Sequence, residues 1–166
     1  MSKAFTKEDD GGVPKIPDRP VSDHPNHVTT AGYARLEAQR DQLAAELADL
    51  RARKDTLDDL LPIAVAERDL RYTEARLRSA IVVDLSQQPK NRVSFGAEVI
   101  TVDEDGREAT YRIVSEDDAA PRTGAIAPFS PLAQALMEQG VGDVVEWPKP
   151  TGTIELEIVG ISYPDG

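Results

Sequence analysis

The chain has 166 residues, of which 40% are hydrophobic, 30% charged and only 5% aromatic, and its 30 acidic against 19 basic side chains leave a formal charge of −11. The absence of cysteine excludes disulfides, thiol catalysis and Cys-ligated zinc, and suits a reducing compartment. No apolar run approaches the roughly 20 residues of a membrane span and the N-terminus lacks an apolar signal core, so the expectation is a cytoplasmic protein without a membrane partner.

Residues 1–28 place six of the chain's prolines and glycines among charged side chains, together with both histidines, His24 and His27. Such a segment buries too little apolar surface to offset its ordering cost, so a disordered or extended tail is expected. The two histidines lack the further ligands a metal site needs.

A helix is predicted from Thr29 or Thr30, where a threonine can satisfy the first free N–H groups. Leu36, Leu43, Leu50 and Leu57 then recur every seven residues. With these at heptad position d, position a holds Tyr33, Arg40, Leu47 and Lys54, a mixed row suited to a short antiparallel hairpin. The helix is expected to end near residue 57, giving a rod of roughly 40 Å. Asp58-Asp59-Leu60-Leu61-Pro62 breaks it, because proline lacks the backbone donor and disfavours helical angles at Leu61. Pro62 suits the first turn of a second helix carrying Ile63, Ala66, Leu70, Thr73, Leu77, Ala80 and Ile81 at three–four spacing. The hairpin is assigned to residues 29–84.

A linker is expected at residues 85–92, followed by a sheet domain over 93–166. Glu98–Val102 and Glu108–Val114 read as a strand pair around the turn at Asp103–Gly106. Gly124–Ala127 reads as a short strand. Ser130-Pro131 opens a helix that ends near Gly140, with serine capping and proline in the first turn. Val144–Trp147 and Thr153–Tyr163 read as closing strands. The fold class is α+β: an N-terminal antiparallel helical hairpin, then a small antiparallel sheet domain with one helix. The acid excess is concentrated there, with 14 acids against 6 bases over residues 85–166. Such a balance opposes broad binding to a naked phosphate backbone.

Several short stretches, in order, resemble the Gre family of bacterial transcription elongation factors. Val28–Leu36 is similar to that family's hairpin opening, Ala80–Asp84 to its exit from the second helix, and Phe95–Val99 to the start of its sheet domain. The strongest likeness is Ser130-Pro131-Leu132-Ala133, with Ala135-Leu136 and then Val141-Gly142-Asp143. Met1–Glu8 is similar to some GreB-type starts. The resemblance implies an antiparallel coiled coil joined to an FKBP-like domain. It also implies a factor that binds bacterial RNA polymerase at the secondary channel, with the sheet domain at the rim and the hairpin directed at the active centre. Acids at the hairpin tip would help hold Mg²⁺ and water there while the polymerase cleaves backtracked RNA. The factor would have no catalytic residues and no tightly bound cofactor of its own, and would act as a monomer.

Carried onto this chain, the candidate tip acids are Asp55, Asp58 and Asp59, with Asp58 and Asp59 as the Mg²⁺ candidates; carboxylates are hard oxygen ligands suited to that ion. Ser130, Pro131, Leu132 and Leu136 are the polymerase-binding candidates. Arg51, Arg53 and Lys54 are candidates for nucleic-acid contact, within the polymerase complex only. The family's tip is close to Asp-Leu/Arg-x-Glu-Asn-Ala, whereas this turn reads Asp55-Thr56-Leu57-Asp58-Asp59-Leu60-Leu61-Pro62. It lacks the Glu-Asn pair, and residues 29–84 make a hairpin shorter than the family's by roughly one heptad per arm, or about 10 Å. A non-cleaving regulator that occupies the channel or competes with active Gre factors is therefore the alternative. Two more distant alternatives are a coiled-coil adaptor and a prolyl isomerase carrying a helical arm. Ser130 has no histidine near it in sequence, so capping rather than nucleophilic attack is its expected task.

Overall fold

The structure is a computed structural model that describes residues 14–165. The first thirteen residues of the expected tail, including the GreB-like start, lie outside the described residues. Its elements in chain order are β1 (Asn26–Thr29), α1 (Thr30–Arg53), α2 (Leu60–Ser79), β2 (Ala80–Val83), β3 (Glu98–Asp103), β4 (Glu108–Ile113), β5 (Ala125–Ile126), α3 (Pro131–Leu136), β6 (Val144–Lys149) and β7 (Gly152–Ser162). The fold is α+β, in two units. One comprises Arg35–Arg78 and the N-terminal segment up to Ser22; the other comprises Asp23–Ala34 and the chain from Ser79 onward.

In the first unit, the seam between α1 and α2 is thin. Leu47, Ile63 and Ala66 form a buried cluster, with Leu50 and Leu70 packed against it. The most buried leucine of α1 is therefore the one at heptad position a, while Leu36, Leu43 and Leu50 are only half-buried. Leu57, expected on the seam, is 75% exposed. The reason is local. α1 ends at Arg53, four residues early, and residues 54–56 are non-helical, so the heptad phase is lost before Leu57 is reached. Leu61 is helical after all, because α2 begins at Leu60 and places Pro62 in its first turn, where a missing N–H costs no intrahelical bond.

The N-terminal segment is ordered against α2. The Arg71 side chain donates from Nε and Nη2 to Oδ1 of Asp18, at 3.0 and 2.7 Å. The Arg19 guanidinium lies 3.8 Å from the centre of the Tyr72 ring and 3.7 Å from Oδ1 of Asp69. Within the segment expected to be a disordered or extended tail, charge pairing and a cation–π contact thus hold Asp18 and Arg19 in place, although it has few apolar side chains.

In the second unit, the tail expectation is corrected again. Asn26–Thr29 form β1, paired in parallel with β2 from Asn26↔Ala80 to Thr29↔Val83. Val28 is 2% exposed. Thr29 ends the strand and caps the helix that follows, its Oγ1 accepting the Gly32 N–H at 2.9 Å. Ala80–Val83, read as the end of the second helix, are β2 instead; three of the four are Ile or Val, whose branched side chains favour the strand. Nor are residues 85–92 a free linker. Leu85 is buried, and the Gln88 amide donates to the Phe95 carbonyl at 2.9 Å. Gly96, at φ +85°, leaves room for Leu85; a β-carbon there would collide with the leucine's methyl groups.

The large sheet has the order β5-β4-β3-β7-β6. All neighbours are antiparallel except β4 and β5, which run parallel through Arg112↔Ala125 and Ile113↔Ile126. The expected purely antiparallel sheet is therefore a mixed one. Alternation along β3 buries Val99 and Thr101, and along β7 buries Leu156 and Ile158, as a period of two requires. Across this face lies α3, which buries Leu132, Ala133 and Leu136. It stops at Leu136 rather than near Gly140, because the next residues pair with another segment. The Glu138 N–H bonds the Val93 carbonyl, and the Val93 N–H bonds the Gln139 carbonyl, at 2.9 and 2.8 Å. The core is aliphatic apart from Phe95 and Tyr163, and the Tyr163 hydroxyl donates to the Arg92 carbonyl at 2.7 Å.

Candidate functional site

The turn between α1 and α2 holds all three candidate acids, and they are not equivalent. One oxygen of Asp59, Oδ2, accepts three hydrogen bonds: from the Asp55 N–H at 3.0 Å, the Thr56 N–H at 2.9 Å and the Thr56 hydroxyl at 3.1 Å. These stabilise the charged form, and with the nearby Arg53 they hold the Asp59 carboxyl below the usual carboxylate range, the Asp55 amide contributing most. Asp55 and Asp58 are exposed, and among the described residues neither carboxylate has a hydrogen bond or ion pair. A single 3-10 turn over Leu57–Asp59 leads into α2.

A Mg²⁺ ion usually takes one or two protein carboxylates and keeps several waters. The donor set here fits that share. It is not a cage of its own: among the described residues no three His, Asp or Glu side chains are grouped so as to hold a metal.

The basic candidates are partly engaged in the shaft. Arg51 donates to Glu67 at 2.6 Å, linking α1 to α2, and Arg53 pairs with Asp49 one turn back at 2.7 Å. Both pairs are well exposed, where an ion pair is worth about 0–1 kcal/mol and exchanges readily for another anion. Lys54 is exposed without an ion pair among the described residues. Beside the acids, Leu57 and Leu61 are 75% and 50% exposed, an uncommon amount of apolar surface for so short a turn.

The candidates in the sheet domain divide differently. Ser130 caps α3, its Oγ accepting the Ala133 N–H at 3.3 Å, with Pro131 exposed in the first turn. Leu136 is 0% exposed and belongs to the core, which corrects its assignment as a contact residue. Leu132, 3% exposed, is also core, and it forms part of the lining of an apolar cleft of about 380 Å³. Tyr111, Phe129, Trp147 and Pro131 line the same cleft. Tyr111 and Trp147 meet edge to face at 6.0 Å between ring centres, and His24 stacks on Phe129 at 3.9 Å. Sequence reading missed this cleft because its rings come from separate parts of the chain.

Together these features define a class of protein: one unit with a helix pair closed by an acidic turn, and a second with a small mixed sheet and one capped helix. A family model described as "Transcription elongation factor, GreA/GreB, C-term" matches residues 88–163. The transcription elongation factor GreA of a Methylobacterium species is 35% identical over 151 residues, covering 82% of this chain and 96% of that protein. The GreA of Desulfovibrio desulfuricans is 34% identical over 137 residues, covering 78% and 85%. A solved GreA/GreB structure from Nitrosomonas europaea matches with 26% identity and a TM-score of 0.42, over 83% of this chain and 99% of that one. The chain belongs to the GreA/GreB family of transcription elongation factors.

Proposed function

We propose that this elongation factor binds bacterial RNA polymerase at its secondary channel, with α1 and α2 forming a coiled-coil probe and the FKBP-like sheet domain docking at the rim. The observation that carries this reading is the tip: three carboxylates within five residues, two of them unengaged, at a turn that closes a helix pair. Ser130 caps α3, and this reading assigns the factor no reaction of its own. The polymerase supplies the RNA and the metals, and Asp55, Asp58 and Asp59 supply negative charge beside them. Asp58 and Asp59 would help hold a Mg²⁺ there, and the ion would supply charge stabilisation for phosphodiester cleavage. Arg51, Arg53 and Lys54 lie where they can meet phosphate, and Ser130, Pro131 and the cleft beside them form the docking surface.

A specific observation favours a second version, in which the factor occupies the channel and regulates elongation without cleavage. Leu57 and Leu61 stand exposed where the family's tip carries polar residues. The alignment with the Methylobacterium relative has 151 positions but takes up only 82% of a 166-residue chain, so positions of the relative are missing here. A probe shortened by roughly one heptad per arm, about 10 Å, would leave the tip short of the active centre, and charge stabilisation has little tolerance for such a gap. The deciding experiment stalls purified polymerase in a backtracked state and adds the protein. Shortened RNA establishes the first version. Intact RNA together with competition against an active Gre factor establishes the second, and failure to bind polymerase at micromolar concentrations removes both.

A further inference from the structure

We infer that an apolar groove on the helix pair is the docking site for the chain's own first residues, with the Phe5 ring on its floor and Lys3 and Lys7 drawn to the carboxylates of Glu46 and Asp69.

The groove holds about 370 Å³ and is lined by Leu43 and Glu46 of α1 and by Leu61, Pro62, Val65 and Asp69 of α2, among others. Leu61 is 50% exposed and Leu43 half-buried, so the packing of the two helices leaves this apolar surface facing water. Its rim carries one carboxylate from each helix. Asp69 is already engaged, with Arg68 at 2.8 Å and Arg19 at 3.7 Å. Glu46 is exposed and has no ion pair among the described residues, which makes it the stronger attraction for a cation.

The N-terminal segment reaches one end of this groove. Pro62, Val65, Asp69 and Tyr72 recur at three–four spacing and share one flank of α2. Arg19 lies over the Tyr72 ring and beside Asp69 on that flank. Upstream, Pro14 and Ile16 are half-buried while Lys15 and Pro17 are exposed, the alternation of an extended stretch lying on a surface. Thirteen further residues precede Pro14. Asp69 and Leu61 are eight helical residues apart, about 12 Å, whereas the fourteen residues from Arg19 to Phe5 can span roughly 46 Å. Reach is therefore ample, and Gly11-Gly12 places little restriction on the direction taken.

Charge and composition select the occupant. The chain opens Met1-Ser2-Lys3-Ala4-Phe5-Thr6-Lys7, a single aromatic ring midway between two cations, and continues Glu8-Asp9-Asp10. The first stretch complements an apolar floor with an acidic rim. The second is repelled by the same rim, so residues 3–7 enter and the acids stay outside.

The docking is a property of the free protein and is decided without polymerase. The full chain is labelled at its Leu and Val methyl groups and at Phe, and studied by NMR at low salt. Cross-peaks from the Phe5 ring to the methyls of Leu61 and Val65 are expected. Phe5→Ser should abolish them and shift those methyls, leaving Leu132 and Val99 of the sheet domain unmoved; Phe5→Leu should retain part of the shift. Glu46→Lys should weaken docking several-fold, and Lys3→Glu with Lys7→Glu in the same chain should restore it. These positions lie outside the buried seam, so folding is not at stake. Leu61 and Val65 methyls that ignore Phe5→Ser overturn the inference and leave the groove to an outside partner. Cross-peaks seen only between differently labelled chains in a mixed sample overturn it in favour of a second copy. Glu46→Lys without effect overturns the assigned charge pairing.

Discussion

Oδ2 of Asp59 lies 2.9 Å from the Thr56 amide nitrogen and 3.1 Å from the Thr56 hydroxyl, so one side chain closes the turn at the end of the helix pair. The folded-state pKa of Asp59 is depressed by these bonds. A depressed carboxyl contributes stability that is present above its unfolded pKa and is lost as pH falls through the folded value. The turn should therefore stay ordered as pH falls through about 3.9, the ordinary range for aspartate, and open only below it. A carboxyl ¹³C titration measures this. An Asp59 midpoint at or above the ordinary aspartate value contradicts the geometry.

Replacing Asp55, Asp58 and Asp59 together by Asn removes the tip charge at nearly constant size. If the wild type stimulates cleavage, the triple variant should lose about a hundredfold or more of that activity, in line with removing preorganised charge from a closed site. Its polymerase affinity, measured by co-sedimentation, should change little, because the proposed contact lies mainly along the shaft and sheet domain. A matched fall in affinity would place the binding energy at the tip instead.

Leu136→Ala should destabilise the sheet domain by about 2–5 kcal/mol, the usual cost of a large-to-small change in a packed core, since Leu136, the last residue of α3, is completely buried. Pro131→Ala removes an exposed ring and should leave the melting temperature within a few degrees while weakening polymerase binding. Denaturant melts with a binding assay separate the two. Wild-type stability in Leu136→Ala would mean the helix has been misplaced.

Gly124 has φ +82°, and a β-carbon on it would lie 2.5 Å from the Thr110 carbonyl oxygen. Gly124→Ala should therefore cost more than the roughly 1–3 kcal/mol of backbone strain alone. Gly106, at φ +77° with nothing within 4 Å, is the control: Gly106→Ala should show the strain without the collision. Equal losses in urea melts would remove the steric explanation.

Asp18→Ala and Arg71→Ala should each weaken the N-terminal segment's hold on α2, with a coupling of about 0.2–1 kcal/mol that fades as salt rises, as exposed pairs do. A double-mutant cycle at two ionic strengths reads it. Coupling that persists unchanged in high salt would point to packing by Arg19 and Tyr72 as the dominant contact.

Local chemistry made much of this protein legible without coordinates. Thr29 and Ser130 announce their helices because a free N–H needs an acceptor close in sequence, and both were found capping. The hairpin of β3 and β4 follows from alternation around Asp103–Gly106, and the order of short motifs from Val28 to Asp143 pointed to the family. What the sequence could not settle depends on partners distant along the chain. β1 reads as tail until residues 80–83 are beside it, and the parallel pairing of β5 with β4 leaves no turn signature, since parallel neighbours are not joined by a tight loop. Leu57 kept the heptad spacing but not its burial, because helix phase is lost wherever the backbone leaves the helix, and α1 leaves it at Arg53. The same holds at the tip. The sequence supplied three aspartates, and only the path of the turn decided which one would bond its amides and which two would stay exposed.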